Sequence, residues 1–228
     1  MTIGIIIATY QRTDGTTPKY LETALKSIKN QTYSDYKVFL IGDKYENNEE
    51  FESLAKSIIP SDKIFWKNLE FAKERGKYPL GDLKLWCAGG VNALNFGITQ
   101  ALSENIDYLC HLDHDDWWEP NHLAEIFNAI KNHNPFMIAT KSTYKGNKIL
   151  PQNPTIPYYP KNGDLIHSST CINFKNCTLR YRDVYAEEGR VHAADGDLWE
   201  RITKMLIDKN DKAIFIDKIT CHHEKERY

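Results

Sequence analysis

The sequence predicts an α/β domain built around a mostly parallel sheet with flanking helices. Strand-like and helix-like patterns alternate through residues 1–113, which is typical of βαβ units. Residues 3–10 are a continuous β-branched apolar run, as expected for a strand buried on both faces of a parallel sheet. Because 228 residues with 41% hydrophobic side chains suffice for one well-packed core, we expect a single domain over residues 1–228.

The first half can be followed element by element. After the strand at 3–10, Thr17-Pro18 offers a helix start, and apolar residues then recur at helical spacing. Residues 36–42 predict a second buried strand, and the helix that follows it ends at Pro60. The remaining predictions are a weaker strand at 63–69, a loop at 70–85, a helix carrying Val91 to Leu102 and a strand at 106–113.

The second half predicts a less regular structure. Pro120 opens a helix, and residues 136–140 return as a strand. Residues 141–192 contain prolines, tyrosines and turn signals, with a strand predicted at 165–174. A helix at 195–208 and a last strand precede a charged tail.

The overall composition argues against several classes of protein. A formal net charge of −2 gives no general positive field, so we expect no nucleic-acid partner. The N-terminal apolar run follows no basic segment and is far shorter than the roughly 18 residues of a membrane span. We therefore expect a cytoplasmic protein without a signal peptide or an integral membrane segment. Five scattered cysteines without CxxC spacing argue against a disulfide framework and a structural zinc site.

Acidic and histidine side chains are most concentrated in HLDHDDWWEP, residues 111–120. Asp113 and Asp115 lie two positions apart at the end of a predicted strand, so we expect their side chains to point the same way. Two converging carboxylates repel each other unless a cation lies between them, and oxygen ligands suit Mg²⁺ or Mn²⁺ better than Zn²⁺. We therefore favour a divalent metal site. The alternative is that Asp113 or Asp116 caps the helix that starts near Pro120.

The histidines leave a different enzyme class open. Mixtures of His and Asp also occur in metal-dependent phosphohydrolases, but those sites lie on helical bundles, whereas this one follows a strand. Such an enzyme would use His111, His114, Asp115, His222 and His223.

Polar side chains also follow the first predicted strand. A tyrosine such as Tyr10 can stack on a base, and an arginine such as Arg12 can pair with phosphate. The segment lacks the glycines of a dinucleotide-binding turn, and the chain contains no GxxxxGK[ST]. A Rossmann dehydrogenase is therefore disfavoured and a P-loop is excluded.

The order of the motifs resembles that of the inverting glycosyltransferases of family 2, which bind nucleotide sugars on a GT-A fold. The matching segments, between residue 3 and about residue 202, are IIIATYQR, LETALKSIKNQTY, VFLIGD, GGVNALNFGI, YLCHLDHDDWWEPNHL, HSST and ADGDLWERI. The resemblance implies metal-dependent transfer of a sugar, with UDP-sugars as the favoured donors, to a glycan or other hydroxyl acceptor in glycan or polysaccharide biosynthesis. It also implies a Rossmann-like nucleotide-sugar-binding half at 1–116 and a variable, acceptor-binding and catalytic-base half at 117–228.

The resemblance further implies roles for individual residues. Asp195 matches the position of the catalytic base, although as a residue at a helix start it also has a structural explanation as an N-cap. Asp113-His114-Asp115 resembles the DxD motif, with Mn²⁺ or Mg²⁺ held by Asp115 and Asp113 and completed by His223 or His222. The implied nucleotide-sugar-binding residues are Thr9, Tyr10, Arg12, Asp43, Gly90, Asn92, Asn95, Asp113 and Asp115.

Two departures from the family pattern fall at these motifs. Leu94 replaces an arginine that contacts the donor, and Ala194 replaces a glutamate before the base. These departures leave a third alternative open, namely a catalytically degenerate module that binds nucleotides or carbohydrates.

Overall fold

The structure is a computed structural model that describes residues 1–146, 148–175 and 177–223. The strands are β1 (Ile3–Thr9), β2 (Tyr36–Gly42), β3 (Ile64–Asn68), β4 (Tyr108–His111), β5 (Asp116–Trp118), β6 (Met137–Tyr144), β7 (Lys148–Leu150), β8 (Thr170–Asn173) and β9 (Ile214–His223). The helices are α1 (Thr17–Lys29), α2 (Asn48–Ile58), α3 (Leu83–Ala88), α4 (Val91–Ser103), α5 (His122–His133), α6 (Val184–Glu188) and α7 (Ala194–Asp208).

The strands of the described residues form one sheet in the order β3-β2-β1-β4-β8-β6-β9-β5, with β7 paired to β6. The first half is parallel throughout, since β1 pairs with β2 and β4, and β2 pairs with β3. In the second half β8 runs antiparallel to both β4 and β6, while β6 and β9 are parallel. The predicted α/β fold class is confirmed.

The apolar run of β1 supplies both faces of the sheet. Ile5 and Ile7 pack on the face covered by α1, α2 and α5, whereas Ile6 packs on the face covered by α4 and α7. Helix α4 approaches β1 closely at Gly97, where a Cβ would lie 2.8 Å from Cγ2 of Ile6. This two-sided burial explains why β1 is apolar at consecutive positions rather than at alternate ones.

The stretch 111–120 differs from its prediction. Strand β4 ends at His111, and a turn follows in which the N–H of Asp116 donates to the carbonyl of Asp113 at 3.0 Å. The prediction that Asp113 and Asp115 lie in an extended strand is therefore wrong, and strand alternation does not explain why both side chains reach the cavity. The capping alternative is also wrong, because the N-cap of α5 is Asn121.

Three further features bear on the sequence-based expectations. Each of the five cysteines is free and buried. Among the described residues, no helix combines the length and the apolar character that a membrane crossing requires. Helix α7 has Ala193 as its N-cap, which places Asp195 second in the helix and corrects the explanation of Asp195 as the cap.

Candidate active site

A cavity of about 490 Å³ opens at the carboxyl ends of the parallel strands. On one side lies what we call the strand-end wall, which follows β1, β2 and β4 and is formed by Thr9, Tyr10, Asp43, Asp113, His114 and Asp115. The lining also includes residues from outside these strand ends, which we call the outer wall: Leu80, Leu83, Trp86, His167, Tyr181 and Asp195. Parallel pairing brings the strand ends together, since Thr9 is in register with Gly42. The cavity therefore lies where ligands bind in open α/β sheets.

At one end of the cavity Asp43 is paired with Arg75. The side chain of Asp43 is buried, and its Oδ2 accepts a hydrogen bond from Nε of Arg75 at 3.2 Å. Burial raises the pKa of Asp43, an effect that the charge and hydrogen bond of Arg75 partly offset. The other oxygen, Oδ1, is also buried and has no hydrogen-bond partner within the described part of the chain. It is therefore placed to accept a hydrogen bond from a ligand N–H.

Glu74 lies beside this pair and supports the start of α4. Its buried carboxylate lies beside the backbone N–H of Asn92, in the first turn of that helix. Burial raises the pKa of Glu74 to about 7, and the neighbouring charge of Asp43 adds to the effect. Neither Glu74 nor Arg75 was predicted as a site residue, because residues 70–85 show no periodicity and were interpreted as a loop.

Asp113 and Asp115 lie at the other end of the strand-end wall, each with a cationic or imidazole partner. Oδ2 of Asp115 accepts a hydrogen bond from Nη2 of Arg12 at 2.6 Å. Oδ1 of Asp113 lies 2.9 Å from Nδ1 of His167. Burial opposes ionisation of Asp113, but the charge and hydrogen bond of His167 outweigh it and hold the pKa of Asp113 at about 2. Asp113 therefore faces the cavity as an anion beside His167, and Asp115 faces it in an ion pair with Arg12.

The two late histidines have different surroundings. His223 lies 2.9 Å from Asp116, and although burial alone would lower its pKa, the carboxylate of Asp116 raises it to about 9. A protonated imidazole does not coordinate a metal, so coordination by His223 requires loss of that proton. His222 points to the opposite side of β9, where its ring contacts Glu119 and Thr143. The structure thus does not bring His222 to Asp113 and Asp115.

The residues that a phosphohydrolase would use do not converge. His111 is fully buried, stacks on His167 with ring centroids 4.6 Å apart, and has a pKa that burial lowers well below its usual range. His222 is directed away from the cavity and His223 is paired with Asp116, so His114 and Asp115 are the members of the set that line the cavity. Within residues 1–146, 148–175 and 177–223, no three His, Cys, Asp or Glu side chains form a preassembled metal site.

Two carboxylates nevertheless fit a divalent ion. Asp113 and Asp115 offer oxygen ligands on the cavity side, and Mg²⁺ binds through one or two carboxylates together with phosphate oxygens and water. The donor set therefore suits an ion that arrives with a diphosphate.

Asp195 and Asp197 occupy contrasting environments in the first turns of α7. Asp195 lines the cavity and accepts the N–H of Gly196 at 2.7 Å. Burial raises the pKa of Asp195, and the charge of His167 partly offsets this rise. Asp197 is buried and receives hydrogen bonds from Arg182 and Arg201. Asp195 therefore faces the cavity, whereas Asp197 holds the surrounding chain together.

A hydrogen-bonded chain connects the two walls. Nδ1 of His167 reaches Asp113, and Nε2 of the same ring lies 2.8 Å from the hydroxyl of Tyr181. Asn95 fixes the backbone of Tyr181 through both its N–H and its carbonyl, at 3.1 and 2.8 Å. The motif HSST indicated His167 only through its place in the motif order, and no sequence signal indicated Tyr181.

Some implied nucleotide-binding residues lie outside the cavity walls. Asn95 hydrogen-bonds the backbone of Tyr181, and the backbone N–H of Asn92 lies beside Glu74. Gly90 does line the cavity and has φ 79°, a backbone conformation that favours glycine. Arg12 reaches the wall through its ion pair with Asp115.

Comparisons with known proteins agree with this architecture. The family model for glycosyl transferase family 2 matches residues 87–189. The chain is 36% identical to the uncharacterized glycosyltransferase R139 of Acanthamoeba polyphaga mimivirus, an alignment that covers 97% of this chain and 93% of that protein. It is 28% identical to the uncharacterized glycosyltransferase RC0461 of Rickettsia conorii, over 98% of this chain but only 34% of that longer protein.

Solved structures share the fold at low sequence identity. S. aureus TarS 1-349 in complex with UDP-GlcNAc superimposes with a TM-score of 0.68 at 14% identity, over 100% of this chain and 60% of that one. The mannosyltransferase PcManGT from Pyrobaculum calidifontis in complex with GDP-Man and Mn²⁺ gives 0.61 at 13% identity, over 97% of this chain and 56% of that one. The fold is thus that of the GT-A glycosyltransferases. The chain belongs to glycosyltransferase family 2, because the family model matches it and the viral glycosyltransferase aligns with it over nearly its whole length.

Proposed function

We propose that this protein transfers a sugar from a nucleoside diphosphate donor to an acceptor hydroxyl, with inversion at the anomeric carbon. A UDP-sugar is the favoured donor, and the product belongs to a glycan or polysaccharide. The observation that carries the proposal is that Asp43, Asp113, Asp115 and Asp195 line one cavity in a family 2 glycosyltransferase. In this proposal residues 1–116 supply the nucleotide-sugar-binding half, and residues 117–228 supply the base and most acceptor contacts.

Base recognition is assigned to Asp43. Its buried Oδ1 needs a donor, and the imide N–H of uracil provides one beside two carbonyl oxygens. Arg75 holds Asp43 in place, since its Nε donates to the Asp43 carboxylate and its Nη2 donates to the backbone carbonyls of Asp43 and Lys44. The UDP-GlcNAc complex of TarS, which has the same fold, supports a uridine nucleotide.

Asp113 and Asp115 are assigned to a divalent cation that binds with the diphosphate. When bound, Mn²⁺ or Mg²⁺ would act as a Lewis acid that stabilises the negative charge of the departing nucleoside diphosphate. Arg12 forms an ion pair with Asp115 in the protein alone, and we assign it to share that role at the diphosphate because guanidinium groups pair well with phosphate oxygens. His223 would complete the metal shell only after losing its proton. The Mn²⁺ in the PcManGT complex supports a metal in this fold.

Asp195 is assigned as the general base. The acceptor oxygen forms a bond to the anomeric carbon while the bond from that carbon to the diphosphate oxygen breaks on the opposite side. The acceptor proton passes to the carboxylate of Asp195, whose raised pKa makes it a better proton acceptor than an ordinary aspartate. A single displacement of this kind inverts the anomeric configuration.

The proposal is tested by thermal-shift and calorimetric measurements with UDP, GDP and their sugars, each in Mn²⁺ and in chelator. We expect a uridine nucleotide to stabilise the protein in both conditions, and we expect the stabilisation to be much larger with the metal than in chelator. The UDP-sugar that binds should then be hydrolysed slowly to UDP, with water as the acceptor. If no nucleotide stabilises the protein in either condition, the proposed transferase activity is wrong.

A degenerate binding module is the second candidate, because Leu94 and Ala194 both line the cavity where the family pattern has charged residues. Metal-dependent binding of UDP-sugars without hydrolysis or transfer to any acceptor would support that module. Slow hydrolysis that Asp195→Asn abolishes would exclude it.

A further inference from the structure

Three large apolar side chains are exposed at the mouth of the cavity. Leu80, Leu83 and Trp86 are 71%, 59% and 49% exposed, and all three line the cavity. Apolar side chains that cluster at the edge of a cleft, rather than standing singly on the surface, mark a site where something else covers them. Folding leaves these three side chains exposed to water, so covering them with a bound ligand is favourable.

The three side chains line the same cavity as Asp195. Leu83 and Trp86 are three positions apart in α3 and therefore share a face of that helix. Cys87, which follows Trp86 directly, also lines this cavity, and its pKa is raised first by burial and then by the charge of Asp195. The exposed cluster thus faces the same space as the carboxylate that would deprotonate an acceptor hydroxyl.

The segment that carries the cluster is fixed from both ends. The hydroxyl of Tyr78 and Nζ of Lys77 lie 2.8 and 2.9 Å from Oδ2 of Asp183, at the start of α6. Lys84 lies over the ring of Tyr185, 4.2 Å from its centroid, and Asp82 caps α3 through the N–H of Lys84. The apolar cluster is therefore presented in a set arrangement, which lowers the entropic cost of binding a ligand.

The chemistry of the cluster limits what it binds. The charged groups that suit a nucleoside diphosphate are Asp43, Arg75 and Asp115, and each of them forms an ion pair. The part of the lining that carries Asp195 continues with Ala193 and Ala194, and the leucines add further apolar surface. Leucine side chains give little to a fully hydroxylated sugar, whereas a tryptophan covers an aromatic ring or an apolar sugar face well.

We propose that Leu80, Leu83 and Trp86 form an acceptor platform for a hydroxyl compound that carries an apolar group next to the reacting sugar unit. An alkyl or aryl glycoside has this chemistry. The inference rests on the proposed function, because the acceptor is defined by its reaction at Asp195.

The test uses the full chain with Mn²⁺ and the UDP-sugar that it hydrolyses. Octyl glycosides below their micellar concentration, p-nitrophenyl glycosides and the matching free sugars of common hexoses are offered as acceptors. We expect transfer to an apolar glycoside with a KM about tenfold lower than that of its free sugar. Trp86→Ala should lower the ratio of transfer to donor hydrolysis most for aryl acceptors, and Leu83→Ser should lower it most for alkyl acceptors, each by about tenfold.

Two exposed apolar residues outside the cavity walls serve as matched controls. Phe71, which is 76% exposed in the same connecting segment, is changed to Ala, and Ile207, which is 56% exposed on α7, is changed to Ala. Both controls should leave the transfer ratio unchanged. Circular dichroism and thermal melts confirm that all variants are folded before their kinetics are compared.

The possible failures are distinguishable. Normal donor hydrolysis with no preference for apolar acceptors would overturn the platform and leave the proposed function standing. A change in oligomeric state on gel filtration, with an unchanged transfer ratio, would assign the surface to a contact between copies and also overturn it. Absence of donor binding and of hydrolysis in the unaltered protein would instead contradict the proposed function.

Discussion

The two walls of the cavity differ in origin and in chemistry. The strand-end wall consists of residues that directly follow parallel strands, and its carboxylates are balanced by Arg75, Arg12 and His167. The outer wall comes from the segments around α3 and α7 together with His167 and Tyr181, and the exposed side chains at its mouth are apolar. Within the described part of the chain no arginine donates a hydrogen bond to its carboxylate, Asp195, whereas Arg182 and Arg201 both donate to the neighbouring Asp197.

This difference indicates a division of labour. Paired charges on a rigid sheet edge suit the binding of a charged donor, since their geometry is set before the ligand arrives. A carboxylate whose pKa is raised by burial suits proton transfer. Changes on the strand-end wall should therefore alter donor affinity, and changes on the outer wall should alter turnover.

Asp195→Asn tests the division most severely. We expect turnover to fall about 10³-fold, because a positioned general base contributes roughly 10² to 10⁴ in rate. Donor affinity by calorimetry should stay within about twofold of the unaltered protein, since the amide keeps the size of the side chain.

Asp197→Asn is the matched control on the same helix. It removes the carboxylate that Arg182 and Arg201 share, so it should lower the free energy of unfolding by about 3 kcal/mol. If Asp195→Asn loses stability in the same way and its activity follows the folded fraction, Asp195 is a structural residue.

Glu74→Gln tests the junction where the outer segment meets the strand-end wall. Burial raises the folded-state pKa of Glu74 to about 7, above the unfolded value near 4.5, so folding takes up a proton between these values. Stability is therefore lost as pH rises through this window. Between about pH 4 and pH 8.5 the unaltered protein should lose about 3 kcal/mol more unfolding free energy than the variant.

Urea unfolding at the two pH values measures this difference, and Glu70→Gln, an exposed carboxylate in the same segment, is the control. Parallel pH dependence in the Glu74 variant and the unaltered protein would show that Glu74 remains ionised in the folded state.

Asp115→Asn tests the metal end of the strand-end wall. We expect the affinity for UDP in Mn²⁺ to fall about a hundredfold, because even second-shell changes at metal sites cost about 10- to 100-fold. Affinity in chelator should hardly change. Asp43→Asn is the counterpart at the base end and should weaken UDP binding equally in Mn²⁺ and in chelator. Equal losses in both conditions for Asp115→Asn would limit Asp115 to its ion pair with Arg12.

The pH dependence of kcat provides the smallest effect. Asp195 must be ionised to accept a proton, and burial raises its pKa, so the acid limb should lie above about pH 3.9, the ordinary value for aspartate. Measurements at saturating donor and Mn²⁺ should show kcat rising with pH through this limb. The residual activity of Asp195→Asn should lack the limb; if it keeps the same limb, another group titrates.

The first half of the fold was predictable from local pattern. Residues 3–10 and 36–42 are mostly apolar at consecutive positions because both faces of β1 and β2 are covered. Such runs predict buried strands even when the neighbouring strands and helices are unknown. The place of Asp43 and Asp113 after strands then predicts their convergence, since parallel strands end at one edge. The turn between Asp113 and Asp116 was missed because a local backbone hydrogen bond, rather than strand periodicity, sets its shape.

Local pattern therefore determined the sheet, its helices and the acidic residues at the strand ends. Only the tertiary structure decided the partners of those residues: Arg75 for Asp43, Arg12 for Asp115 and His167 for Asp113. Arg75 comes from a segment without periodicity, and His167 is positioned by the antiparallel pairing of β8 with β4, more than 50 residues apart in the chain. Such contacts depend on which strands become neighbours in the sheet, and local sequence patterns do not specify that pairing.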